Sequence, residues 1–137
     1  MQKFFSAAPF GQEAVITILR IVVAVFMIIH GMEVFDAVKM KGYTEWPNFK
    51  GSAFMPYLGK GAEFAAGVLL LPGLFTRLAS LITIGTFGYI TFFIGKGKFW
   101  MDDQHPFLFV LFGLLFLFAG PGALSLDALI FKTKSRY

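Results

Sequence analysis

The sequence predicts an all-α fold, an integral membrane four-helix antiparallel bundle with a short C-terminal interfacial helix. Three observations predict it. Mean hydropathy is +0.72, and of 137 residues 57% are hydrophobic and only 15% charged. A soluble domain of this size carries roughly 25% charged residues, so most of this surface must face something other than water. The apolar residues also fall into four runs separated by polar connections rich in Gly and Pro. Finally, the charges gather in loops and the tail, where they would meet anionic head groups.

Helix 1 is expected over about 14–35, roughly 33 Å of helix and enough to cross a bilayer core. The stretch 36–60 follows, with Lys39, Lys41, Glu45 and Lys50 interleaved with Tyr43, Trp46, Phe49, Phe54 and Tyr57. Aromatics alternating with lysines fit a loop lying in the head-group layer. Helix 2 is expected over about 56–71, with Pro56 at its first position and Pro72-Gly73 ending it. Thr76 is positioned to cap helix 3, about 77–94, through its hydroxyl. The connection is short, so helices 2 and 3 form an antiparallel hairpin. Gly95-Lys96-Gly97-Lys98 breaks helix 3. Helix 4, about 106–119, is roughly 21 Å long, short for a full span. Gly120-Pro121-Gly122 stops it, and 123–131 reads as a short interfacial helix with Leu126, Leu129 and Ile130 opposite Asp127. The tail from Lys132 is basic and solvated. Ala62 and Ala66 in helix 2, and Gly85 and Gly88 in helix 3, are expected to permit close helix packing. All 137 residues form one transmembrane domain, with no soluble domain large enough to carry chemistry by itself.

Formal net charge is +4 and the sequence pI is near 9.5. The basic residues flank the apolar runs, so they point to a membrane surface and not to nucleic acid. Cysteine is absent, which excludes thiol catalysis, disulfides and thiolate metal sites. Residues 1–9 are too short in apolar content for a cleaved signal peptide, so helix 1 is expected to act as an uncleaved signal anchor. Four crossings place both termini on one side, with Lys3, Arg77, Lys132, Lys134 and Arg136. Lys39, Lys41, Lys50, Lys60, Lys96 and Lys98 lie on the other. Against this near balance, Tyr43, Trp46, Tyr57 and Trp100 mark the second side, and the termini are assigned to the cytoplasm of a bacterial inner membrane.

Ionisable groups inside spans cost about 2.5–3.5 kcal/mol at a helix centre on insertion scales, so each needs a partner or a task. They form two groups. Toward the loops, His30 lies about 8 Å below the end of helix 1 and Glu63 about 10 Å into helix 2. Their depths match, so a His30–Glu63 hydrogen bond is expected, serving either as a proton or quinone partner or as an interhelical clasp. Glu33, on the same side as His30 and nearer the surface, is a third candidate for that quinone or proton site, with a solvated face as its alternative. His105 and Asp102-Asp103 enter from the loop above, but their spacing matches no metal site, and no metal is expected. Toward the termini, Arg20, Arg77 and Asp127 form an expected structural cluster with an Arg–Asp pair.

These residues carry a resemblance. His30-Gly31, Glu63 with Gly67, the stretch Gly73-Leu74-Phe75-Thr76-Arg77-Leu78-Ala79, and Gly120-Pro121-Gly122-Ala123-Leu124-Ser125-Leu126-Asp127 occur in an order and spacing similar to the DoxX family of small four-helix membrane proteins. The likeness extends over nearly the whole chain. Val34 stands where members often carry a Lys, and Ala65-Ala66-Gly67 departs from their usual glycine placement. The resemblance implies an accessory or quinone-handling subunit of a membrane oxidoreductase system, since one named member is similar to a subunit of a thiosulfate:quinone oxidoreductase. No covalently bound cofactor is implied, and a quinone is the small molecule expected. The alternative is a non-catalytic scaffold or assembly factor, holding a membrane or peripheral partner, or a second copy of itself, through its helix faces. A transporter is disfavoured, because no inverted repeat shows.

Overall fold

The structure is a computed structural model that describes residues 4–131. Met1, Gln2 and Lys3, and the basic tail from Lys132 onward, lie outside the described residues. The described residues are helical and contain no strand.

Helix α1 spans Gln12–Gly31 and runs on through a tighter 3₁₀ turn, Met32–Phe35. Together they make 24 residues, within which an 18-residue stretch reaches mean hydropathy 2.4. Helix α2, Ala37–Thr44, follows at once because the Asp36 carboxylate accepts from the backbone N–H groups of Val38 and Lys39. It occupies part of the stretch read from sequence as a loop. A short 3₁₀ turn at Pro47–Phe49 leads to α3, Phe54–Leu70. Helix α4, Thr76–Tyr89, continues through a wider π turn at Ile90–Ile94. Within these 19 residues an 18-residue stretch has mean hydropathy 1.5, so this helix and Gln12–Phe35 are both long and apolar enough to cross a membrane. Helix α5, Gln104–Ala119, is apolar but shorter, and α6, Leu126–Ile130, closes the described chain.

Helices α1 and α3 pack antiparallel through two glycines. A Cβ on Gly31 would stand 2.5 Å from Phe64 N, and one on Gly67 would stand 3.0 Å from Ile28 N and 3.1 Å from Ala24 O. The backbones meet because no side chain separates them. Helices α4 and α5 pack antiparallel in the same way at Gly113, against Ile84 and the Ser80 carbonyl. Nearer the loops, Phe87 stacks on Phe109 with centroids 4.5 Å apart. Met27, Ala66, Leu70, Ala79 and Phe116 fill the middle and are fully buried.

Two sequence expectations are corrected here. Gly85 and Gly88 do not mark a close approach, because nothing lies within 4 Å of a Cβ built on either. The close contact of α4 is made at α5's glycine instead. Thr76 does not cap α4 through its hydroxyl. The residue before the helix, Phe75, adopts a left-handed conformation at φ 48°. Asp127 reaches in from α6, and its carboxylate accepts from Phe75 N and Thr76 N, each at 2.7 Å.

Candidate functional site

The buried charge at the loop end is Glu63, 3% exposed, on α3. Lys60 sits three residues earlier on the same helix face. Its ammonium lies 3.3 Å from Glu63 Oε2 and 3.1 Å from Glu33 Oε2, bridging the two carboxylates. Glu33 also accepts from the Tyr43 hydroxyl at 2.6 Å and lies 3.7 Å from Lys39 Nζ. The Lys60 ammonium lies 5.3 Å from the Tyr43 ring centroid, which adds a cation–π contact. Burial, and then donation to Glu33, hold the Tyr43 phenol above its ordinary pKa. Both effects favour the neutral, donating form.

This network forms one wall of a cavity of about 470 Å³ between α3, α4 and the 43–49 segment. Apart from Glu63, Lys60 and Tyr43 the lining is mostly apolar, with Trp46, Phe49, Ile82 and Ile90 among its residues. Gly85 on α4 and Ala62 on α3 both line the space, and nothing lies within 4 Å of a Cβ built on Gly85. The segment that roofs the cavity is tied down at its far end. Asn48 Nδ2 donates to the carbonyls of Phe93 and Ile94 at 3.4 and 3.3 Å. These carbonyls belong to the last turn of the α4 helix, where the helix itself supplies no partner.

His30 does not reach Glu63. Among the described residues its ring partner is His105, edge-on at 6.0 Å between centroids, and His105 in turn meets Phe109. Helix geometry explains this. The α1 residues facing α3 are Ala24, Ile28 and Gly31, and His30 is rotated by about 100° from Gly31, toward the start of α5. The expected hydrogen bond is thus replaced by the Lys60 ion pair. Glu33, expected near the surface, is drawn into the same network. Asp103 holds the loop after α4 by accepting from Lys96 N and Lys98 N at 2.9 and 3.0 Å. No group of three or more His, Asp or Glu side chains gathers to hold a metal ion among the described residues.

At the terminal end, Arg20 is 1% exposed. It donates to the carbonyls of Leu70, Leu71, Pro121 and Leu124. The guanidinium thereby satisfies the orphan carbonyls at the end of α3 and fixes the 121–124 turn against α1. The expected Arg–Asp ion pair does not form, because Asp127 is spent on the N-terminus of α4. Arg77 is exposed and makes no hydrogen bond or ion pair among the described residues. The arrangement is a structural joint.

Lys60 and Tyr43, together with Thr86, which lines the cavity from α4, were not singled out as site residues from the sequence. The Lys60–Glu63 spacing of three was a readable signal. Tyr43 and Thr86 carried none.

Known proteins place the chain. The DoxX family model matches residues 15–96, a stretch that contains every residue lining the cavity. An uncharacterized protein of Haemophilus influenzae is 34% identical over 121 residues, covering 83% of this chain and 89% of that one. A Bacillus subtilis protein named "Putative oxidoreductase CatD" is 28% identical over 119 residues, 85% of this chain and 87% of its own. No solved structure matches the chain. The family model covers more than half of the chain, and the chain belongs to the DoxX family.

Proposed function

We propose that this protein is a multi-pass membrane protein of a bacterial inner membrane, with both termini cytoplasmic. In this reading α1, α3, α4 and α5 cross the bilayer as one antiparallel four-helix domain, and α6 lies at the interface. The outward faces support it. Ile18, Phe26 and Ile29 on α1 and Leu111, Leu114 and Phe118 on α5 are all exposed. Such a surface suits lipid and would be a liability in water. Helix α5 has 16 residues, about 24 Å, and Phe99 and Trp100 ahead of it sit where an interfacial belt would complete the crossing.

Within that membrane domain, the cavity binds a quinone-type ligand, and the protein serves as an accessory or quinone-handling subunit of an oxidoreductase system. The observation that carries this is the pairing of an apolar 470 Å³ space with a buried charged wall, Lys60–Glu63. Such a combination of apolar body and few polar groups is what small-molecule sites share. The Bacillus relative's name, with the word oxidoreductase in it, is consistent with this reading.

The test is binding of a short-chain quinone and its quinol to the full chain in lipid nanodiscs, measured by calorimetry. At least one redox form should bind, and Gly85→Phe, which puts a ring into open space, should abolish it. Failure of both forms to bind would leave the scaffold reading, in which the Lys60 network serves only to fasten α2 to the helices.

A further inference from the structure

We infer that the cavity holds the reduced, hydroxyl-bearing form of its aromatic ligand, a quinol or related phenol, in preference to the quinone. This rests on the ligand site proposed above and adds which redox form it selects.

Two polar atoms of cavity-lining residues are left without a protein partner. The first is Glu63 Oε1. Lys60 takes only the Oε2 atom. Among the described residues the one buried side-chain oxygen that is both enclosed and unpartnered is Thr76 Oγ1, at the far end of α4. Glu63 Oε1, itself unpartnered, therefore retains open surface, and the space its residue borders is the cavity.

The second is the Thr86 hydroxyl, on the α4 side of the same space. Helical hydroxyls commonly fold back onto the carbonyl one turn earlier. Three others on this helix do so. Ser80 donates to Thr76 O, Thr83 to Ala79 O and Thr91 to Phe87 O. Thr86 makes no such bond. It and Glu63 belong to facing helices, with the open space of Gly85 beside Thr86.

The chemistry of these atoms discriminates between redox forms. A carboxylate only accepts hydrogen bonds, and so does a quinone carbonyl. A quinone carbonyl can accept from Thr86 or Lys60, but it gives Glu63 Oε1 no donor and leaves that acceptor unsatisfied. A quinol hydroxyl donates to Glu63 Oε1, while its oxygen can accept from Thr86 or from the Lys60 N–H not taken by Glu33 and Glu63. A hydrogen bond to a charged acceptor is worth about ten- to hundredfold in affinity.

The experiment compares a short-chain benzoquinol with its benzoquinone under anaerobic conditions, on wild-type protein in nanodiscs. The quinol should bind at least about tenfold tighter. Glu63→Gln, whose amide both donates and accepts, should bring the two forms to similar affinity. Thr86→Val should weaken the quinol severalfold and leave helix content unchanged. Equal affinity of wild type for the two forms, or tighter quinone binding, overturns the inference while leaving the proposed site in place. Binding of neither form removes the site and the inference together. The wild-type comparison stands even if a variant does not fold.

Discussion

Lys60 stands one helical turn ahead of Glu63, and its ammonium rests 3.3 Å from the Glu63 carboxylate and 3.1 Å from that of Glu33. One cation therefore serves two anions from different helical segments. Because Glu33 lies in the 3₁₀ turn that extends α1 and Lys60 and Glu63 lie on α3, the ion triad also pins the two segments together beside the cavity. The roof segment joins through Tyr43, which donates to the same Glu33.

Removing the cation should cost more than removing either anion. Lys60→Met leaves Glu63 buried and unpaired, and the expected loss is about 1–3 kcal/mol. The partial exposure of Lys60 and Glu33 keeps it below the full cost of a deeply buried pair. Adding Glu63→Gln to Lys60→Met should recover part of that loss, because the orphan charge is gone. Thermal unfolding in detergent, arranged as a double-mutant cycle, reads both effects. Purely additive effects would mean that the pair is not coupled.

The glycines separate into two classes with opposite expectations. Gly31→Ala and Gly67→Ala drive a methyl into Phe64 and into the Ala24–Ile28 backbone. Each should lower stability by about 1–3 kcal/mol, as overpacking does. Gly85→Ala and Gly88→Ala meet open space, and should raise stability by up to about 1 kcal/mol through better helix propensity. Loss of stability at Gly88 would show that a second chain or another element packs there.

The Tyr43 phenol is held above its ordinary pKa by burial and by its bond to Glu33. The folded state then keeps the proton at a pH where the unfolded chain releases it. Its stabilising contribution is complete below the unfolded pKa of about 10 and is lost as pH rises through the higher folded value. Unfolding measured across this alkaline range should show stability falling in wild type. Tyr43→Phe should fall less steeply there, and an unchanged slope would show that Tyr43 does not titrate with folding.

The helices were legible because their ends are punctuated. Pro56, Pro72-Gly73, Gly95 and Gly120-Pro121-Gly122 set boundaries that the structure places within about two residues. Helix α2 was not legible, since its mixed Lys, Gly and Tyr composition has no apolar period and forms on the Asp36 cap. At the site, the sequence located the charge that needed a partner, Glu63, but assigned it His30. Depth along two helices was readable, and rotation about them was not, because the Gly31–Phe64 contact that sets it is tertiary. The same holds for Asn48, whose partners Phe93 and Ile94 lie on another helix.

At the opposite end, Arg20 and Arg77 should behave differently despite the same side chain. Arg20 spans four carbonyls from two turns, so Arg20→Met strands them in a buried joint, and Lys cannot reproduce the fork. Both substitutions should cost at least about 3 kcal/mol and lower the yield of folded protein. Arg77→Ala should stay within about 0.5 kcal/mol, as exposed sites do.

The crossing pattern itself can be tested cleanly, because the chain has no cysteine of its own. Single cysteines at Ser6, Ser52, Gly73 and Lys98 sample the N-terminus and the three connections. In an antiparallel four-crossing arrangement, Ser6→Cys shares a side with Gly73→Cys, and Ser52→Cys shares the other with Lys98→Cys. Gly73 is crowded by Arg20 and Ser125 and has a positive φ, so exposed Arg77→Cys is the better reporter for that connection. A membrane-impermeant maleimide applied to intact bacterial cells should label Ser52→Cys and Lys98→Cys. It should leave Ser6→Cys and Arg77→Cys unlabelled until the cells are opened. The reverse pattern would keep the four crossings and invert the orientation. Labelling of all four sites in intact cells, or a split of Ser52 from Lys98, would be incompatible with α1, α3 and α4 each crossing. The short α5 needs a reporter beyond it, the exposed Leu124→Cys, which should share the side of Ser6→Cys, since its length alone leaves α5 about 6 Å short of a 30 Å hydrocarbon core.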